Sequence, residues 1–177
     1  MMTRYLFAFI LGIGLTFNGF SQKSEVKWYT IEEAVELNKT TQKKIFIDVY
    51  TDWCGWCKKM EASTFTHPVI AKILNEDYYA VRFNAETKDT IIFSGQTFVN
   101  QGGNRQPHQL AVALLQNKLS YPSIVYMNEN NQLITAVPGY YGPDGLEPIL
   151  KFFITDAFKT QSFEDFKNSF KSEIQVQ

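Results

Sequence analysis

Residues 45–61, Ile45-Phe46-Ile47-Asp48-Val49-Tyr50-Thr51-Asp52-Trp53-Cys54-Gly55-Trp56-Cys57-Lys58-Lys59-Met60-Glu61, run from an apolar segment into a pair of cysteines. The first six are almost continuously β-branched or aromatic, which suits a central strand buried on both faces. From Thr51 the chain reads as a loop turning into a helix, so the cysteines fall at the helix start. Two intervening residues let both sulfurs meet at the first helical turn. There the helix dipole and free backbone N–H groups favour a thiolate at Cys54. A thiolate is the attacking species in disulfide exchange, and Cys57 is placed to release a trapped mixed disulfide.

These are the only two cysteines in the chain. The alternatives to redox chemistry are a structural disulfide or two zinc ligands. A zinc finger of this type also needs two histidines three to five residues apart, whereas His67 and His108 lie 41 positions apart. A structural disulfide closing so small a loop removes little unfolded-chain entropy. Asp48 stands out in the same stretch, because a charged side chain in a buried strand is costly unless it serves a purpose. Its plainer reading is a strand-end carboxylate satisfied by backbone N–H groups.

Outward from this segment, Thr30-Ile31-Glu32-Glu33 is a capping box opening a helix that ends near Asn38. Lys43 and Lys44 lead into the strand at Ile45. A helix starts at Pro68, with Val69, Ile70, Ile73 and Leu74 at helical spacing, and Tyr79 to Phe83 reads as a strand. Residues 85–107 are polar and glycine-containing around a short apolar stretch and resist assignment. Pro107 to Leu119 reads as a helix, Ser123 to Met127 as a strand, Asn128 to Asn131 as a turn and Leu133 to Val137 as its partner strand. Helices follow at about 145–153 and 163–173. Strands and helices in this order imply a mixed α/β fold, a central sheet covered on both faces.

The whole chain has 177 residues, within the range of one domain. It is 45% hydrophobic and 20% charged, with 15 Phe, 9 Tyr and 3 Trp. That is a globular composition with ample core material, and it excludes disordered and collagen-like classes. A formal net charge of −1 leaves no electrostatic footprint for nucleic acid. Residues 1–21 read as a secretory signal peptide: Arg4 is followed by the uncharged, largely apolar run Tyr5–Phe17, then small residues before Gln22. The run is shorter than the roughly 20 residues that span a bilayer. A single domain over 22–177, exported to the periplasm or secreted, is therefore expected, where disulfides persist.

Tyr50-Thr51-Asp52-Trp53-Cys54-Gly55-Trp56-Cys57-Lys58 resembles the active-site segment of the thioredoxin superfamily, including the tryptophan before the first cysteine. With Lys59-Met60-Glu61 and the Phe65…Pro68 stretch, it is most similar to the C-terminal domain of bacterial transmembrane thiol–disulfide interchange proteins and their stand-alone secreted relatives. The resemblance covers about residues 28–155; the central Gly55-Trp56 departs from thioredoxin's Gly-Pro. It implies a thioredoxin fold and a thiol–disulfide oxidoreductase, leaning to a reductase, whose only redox group is the Cys54–Cys57 pair, with no metal or organic cofactor. An oxidase or isomerase of the same fold, or a non-catalytic peptide-binding module, are the other readings. The implied partners are client proteins carrying disulfides and a membrane electron-transfer protein.

The resemblance also assigns roles by position. Asp48 would assist proton transfer at Cys57 through water, with burial raising its pKa toward neutrality. Tyr121-Pro122 would be the cis-proline loop that pairs with an extended client; its plainer reading is a trans proline at a strand start. Gly139 would keep the client groove open, or is a simple turn glycine. Trp53 and Trp56 would form an apolar rim, unless Trp53 packs under the loop. Glu61, four residues after Cys57 on the same helical face, is either a modulator of its proton or a solvated helix charge. His67 reads as a helix-entry residue. Residues 86–105 have no counterpart in minimal thioredoxin and form an insertion of roughly twenty residues before the cis-proline strand; loops of that length are uncommon unless functional or disordered.

Overall fold

The computed structural model describes residues 25–174; the expected signal peptide lies outside the described residues. In chain order the elements are β1 (Trp28–Tyr29), α1 (Ile31–Asn38), β2 (Lys44–Tyr50), α2 (Gly55–Ser63), α3 (Pro68–Asp77), β3 (Tyr78–Asn84), β4 (Ile91–Phe93), β5 (Gln96–Phe98), α4 (Gln109–Leu114), β6 (Ser123–Met127), β7 (Leu133–Pro138), α5 (Pro143–Ile154) and α6 (Phe163–Ser169). Five strands form one mixed sheet in the order β1-β3-β2-β6-β7. β2 runs parallel to β3 and antiparallel to β6. This is the thioredoxin fold.

Period-2 alternation along β2 divides the core into two layers. Phe46 packs with Met60 of α2, Ile70 and Leu74 of α3, and Leu146 and Leu150 of α5. Ile45, Ile47 and Val49 face the other way, onto Ile31 and Ala34 of α1 and Leu110 and Leu114 of α4. Asp48 shares its parity with Phe46, so it faces the layer that carries α2. One sheet position thus points a carboxylate toward the helix that begins at the cysteines.

Several boundaries differ from the sequence reading, each for a local reason. Lys44 opens β2 rather than preceding it. It is buried, and its ammonium is tolerable there because Glu129 and Asp156 pair with it at 2.5 and 3.0 Å. The two-residue β1 is too short to carry a periodic signal. The helix expected over 107–119 spans only Gln109–Leu114. His108 caps its start by accepting the Leu110 N–H on Nδ1 at 3.1 Å. Gln116 and Asn117 then take left-handed conformations (φ 51° and 64°) that end it.

The insertion is ordered. Ser94 and Gly95, both at positive φ (52° and 75°), make the two-residue turn of the β4–β5 hairpin. Ile91, with the partly buried Phe93 and Phe98, seats it on the α1/α4 side of the core. The base is closed by the His108 N–H donating to Ala85 O at 2.7 Å. The Lys88 ammonium binds Asn100 Oδ1 and the carbonyls of Gly102 and Gly103 at 3.0, 2.8 and 3.2 Å.

Candidate active site

Cys54 and Cys57 are joined in a disulfide, with Cα atoms 5.3 Å apart. Cys54 is the N-cap of α2, and its sulfur accepts the Cys57 backbone N–H at 3.1 Å. The same N–H would stabilise a thiolate on Cys54 in the reduced pair, where the helix dipole adds to the effect. Both cysteines are buried. A cleft of about 80 Å³ reaches Cys57 between Tyr50, Asp52, Glu61 and Arg82, with room for water.

Asp48 is 2% exposed. Parallel pairing puts it opposite Arg82 of β3, whose Nε lies 3.6 Å from Asp48 Oδ2. Asp48 Oδ1 has no hydrogen-bond partner among the described residues. Burial pushes the Asp48 carboxyl up to about 7; Arg82 pulls it down and Glu61 pushes it further up. A carboxyl poised near neutrality can both take and give a proton at physiological pH. The reading of Asp48 as a strand-end carboxylate satisfied by backbone N–H groups is not what the structure shows.

Arg82 is the neighbour of Asp48 that the sequence reading did not single out. Its guanidinium donates to Glu61 Oε1 at 2.5 Å and lies 4.6 Å from the Tyr50 ring centroid and 5.7 Å from that of Trp28. Glu61 is therefore half-exposed but ion-paired, rather than simply solvated. An Arg82→Gln variant removes the cation that opposes the effect of burial. The inflection of Asp48 is expected to move above 7, read as an alkaline shift in the pH profile of thiol exchange or in the carboxyl carbon resonance. An unmoved or acid-shifted inflection would show that Arg82 does not set it.

Trp53 and Trp56 are 51% and 57% exposed and stand on either side of the cysteine turn. Trp53 packs edge-on against Tyr121 with ring centroids 6.1 Å apart, and its indole N–H donates to Glu86 Oε1 at 3.0 Å. Trp53 thus does not pack under the loop. Trp56 pairs with Tyr140 at 5.2 Å. The Tyr121–Pro122 bond is cis, and Gly139 has φ 106°, a value that favours glycine. The Gly139 N–H donates to Pro122 O at 2.9 Å, tying the proline loop to the end of β7. Trp56, Tyr121, Pro122, Gly139 and Tyr140 line an open cleft of about 230 Å³. His67 caps α3 through its backbone and not its side chain.

The fold resembles that of the DsbH oxidoreductase, with a TM-score of 0.53, 19% identity, and coverage of 85% of this chain and 96% of that one. A thioredoxin from Thermus thermophilus superposes with a TM-score of 0.55 at 14% identity, over 73% of this chain and 87% of that one. In sequence, the thiol:disulfide interchange protein DsbD of Vibrio vulnificus is 36% identical over 62 residues, 32% of this chain and 10% of that protein. Human spermatogenesis-associated protein 20 is 32% identical over 75 residues, 42% of this chain and 10% of that protein. The chain thus matches about a tenth of the length of these curated relatives. A C-x-x-C pair on this fold, with such neighbours, supports a thiol–disulfide oxidoreductase. The sequence profile of the thioredoxin-like domain matches residues 31–154, and the chain belongs to that family.

Proposed function

We propose that the protein is an exported thiol–disulfide oxidoreductase that reduces disulfides in client proteins. The observation that carries the reading is the cysteine pair at the start of α2, on the face of the sheet where Asp48 is held near neutrality. In the reduced protein the Cys54 thiolate attacks a client disulfide. A Cys54–client bond forms, and the first client thiolate leaves. Asp48, acting through water, takes the proton of Cys57. The Cys57 thiolate then attacks the Cys54 sulfur, the Cys54–Cys57 disulfide forms, and the second client thiolate departs. Two electrons pass from the protein's dithiol to the client's disulfide, and the proton on Asp48 returns through water to solvent or to the departing thiolate.

The reductive direction is our reading of the likeness to a thiol:disulfide interchange protein; a carboxyl near neutrality serves the Cys57 proton in either direction. Among the described residues no helix is long and apolar enough to cross a membrane. The electrons that regenerate the dithiol come, in this reading, from a separate membrane protein carrying its own dithiol. No metal or organic cofactor takes part, because the cysteine pair carries both electrons.

The test is to trap thiols in intact producing cells with an alkylating agent of resolvable mass and to fractionate the exported compartment. The expected result is a mature chain in that compartment, with Cys54 and Cys57 predominantly alkylated. A pair that is predominantly oxidised there would favour a disulfide-forming or isomerising role, and retention in the cytosol would overturn export.

A further inference from the structure

Both aromatic pairs beside the cysteines carry a cation. The Lys59 ammonium sits 5.0 Å from the Trp56 ring centroid and 5.3 Å from that of Tyr140. On the other side, the Arg105 guanidinium lies 5.4 Å from the centroid of Trp53. Arg105 belongs to the insertion, and its position follows from how that insertion is tied. Asn100 Nδ2 donates to the carbonyls of Glu86, Thr87 and Gln106 at 3.2, 3.1 and 2.7 Å. Together with the Lys88 contacts, this closes the loop on itself and brings residue 105 back to the tryptophan beside Cys54.

The charges around the cysteines are not equally free. Neither Lys59 nor Arg105 has a carboxylate within ion-pair distance among the described residues. The neighbouring carboxylates are engaged: Asp52 accepts from Asn84 Nδ2 at 3.1 Å, Glu86 from the Trp53 indole at 3.0 Å, and Glu61 from Arg82 at 2.5 Å. An incoming chain meets an apolar groove beside two cations that no carboxylate among the described residues pairs with, Lys59 over Trp56 and Tyr140 and Arg105 over Trp53. Of the three carboxylates only Glu61 is ion-paired, while Asp52 and Glu86 keep their charge but have oxygens occupied by neutral donors. A cation over an aromatic face is held in place yet keeps N–H donors for a second partner.

We propose that Lys59 and Arg105 make this groove selective for extended client segments that carry an aspartate or glutamate close to the target cysteine. The inference rests on the oxidoreductase reading above and names its class of client. It also gives the insertion a role, since the insertion supplies the second cation. Electrostatic selection of this kind acts on association and is weakened by salt, because the cations are at the surface.

The experiment uses the reduced mature protein and three disulfide-linked peptides that differ only in having Glu, Gln or Lys on either side of the cysteine. Uncharged hydroxyethyl disulfide is the fourth substrate. Single-turnover rates are followed by tryptophan fluorescence and divided by the rate of each substrate with dithiothreitol, which removes the effect of flanking charge on the leaving thiol. The expected order is Glu, Gln, Lys, spanning about fivefold at low salt, the size of two exposed charge contacts. The span is expected to shrink at high salt and to collapse in the Lys59→Gln/Arg105→Gln double variant. Equal normalised rates for the peptides, with all four substrates reduced, would overturn the selectivity and leave the oxidoreductase reading standing. A Lys preference, or a Glu preference that survives in the double variant, would also overturn it. If not even hydroxyethyl disulfide is reduced, the oxidoreductase reading itself falls and the client groove with it.

Discussion

A Cys57→Ala variant is expected to accumulate covalent adducts with client proteins while its turnover falls by on the order of a thousandfold. The order of the two sulfur attacks is the reason. Cys54 sits at the N-cap of α2 with the Cys57 N–H on its sulfur, so it is the sulfur whose thiolate the helix start stabilises. It can still attack a client when the second cysteine is gone, but nothing on the protein then displaces the client. Adducts recovered under non-reducing conditions and released by dithiothreitol are the readout, with Cys54→Ser as the control that should form none. A scaffold that only binds peptides would tolerate Cys57→Ala with unchanged affinity and no adducts; that result would exclude the catalytic reading.

Asp48→Asn is expected to lower turnover at neutral pH by on the order of a hundredfold, the usual contribution of a placed proton carrier, and to raise stability. The two effects have one cause. Burial raises the Asp48 carboxyl from its ordinary 3.8 to about 7, so the folded protein holds this proton more tightly than the unfolded chain does. Folding stability therefore falls as pH rises from about 4 to 7, and the full penalty remains above 7. A rise of that size corresponds to roughly 4 kcal/mol. Asparagine carries no charge to desolvate but leaves Arg82 without one of its two anions, so the expected gain is on the order of 3 kcal/mol at pH 8. It should vanish below about pH 4. Paired denaturation curves at pH 4 and 8, with the pH profile of exchange, check both parts. A variant that retains the inflection near 7, or whose gain in stability over the wild type is no larger at pH 8 than at pH 4, would contradict this account of Asp48.

The segment from Ile45 to Glu61 made the fold legible, because its signals are local. An apolar run, a turn and a cysteine pair at a helix start each depend on residues near in sequence. The Thr30 capping box and Pro68 were legible for the same reason. What escaped was non-local or too brief. The neighbourhood of Asp48 and Arg82 is a matter of register between β2 and β3, and neither strand encodes its partner. Arg82 did carry a visible signal, a lone charge in an apolar strand, the same feature that singles out Asp48. Likewise, Ser94-Gly95 is a hairpin turn signal, but it joins strands of three residues each, too short for alternation to register. The hydrogen bond from Trp53 to Glu86 depends on where the loop after β3 falls. The left-handed Gln116 and Asn117 stop α4 without a glycine or proline to mark the place.

The reduction potential of the Cys54–Cys57 pair in the mature protein, measured by equilibration against glutathione and dithiothreitol buffers, tests the central claim most directly. The account predicts a two-electron couple near the roughly −270 mV of thioredoxin. A value in the range of about −120 to −180 mV, where oxidising and isomerising relatives lie, would contradict the reductase reading. A pair that does not equilibrate with either buffer would contradict redox function at this site altogether.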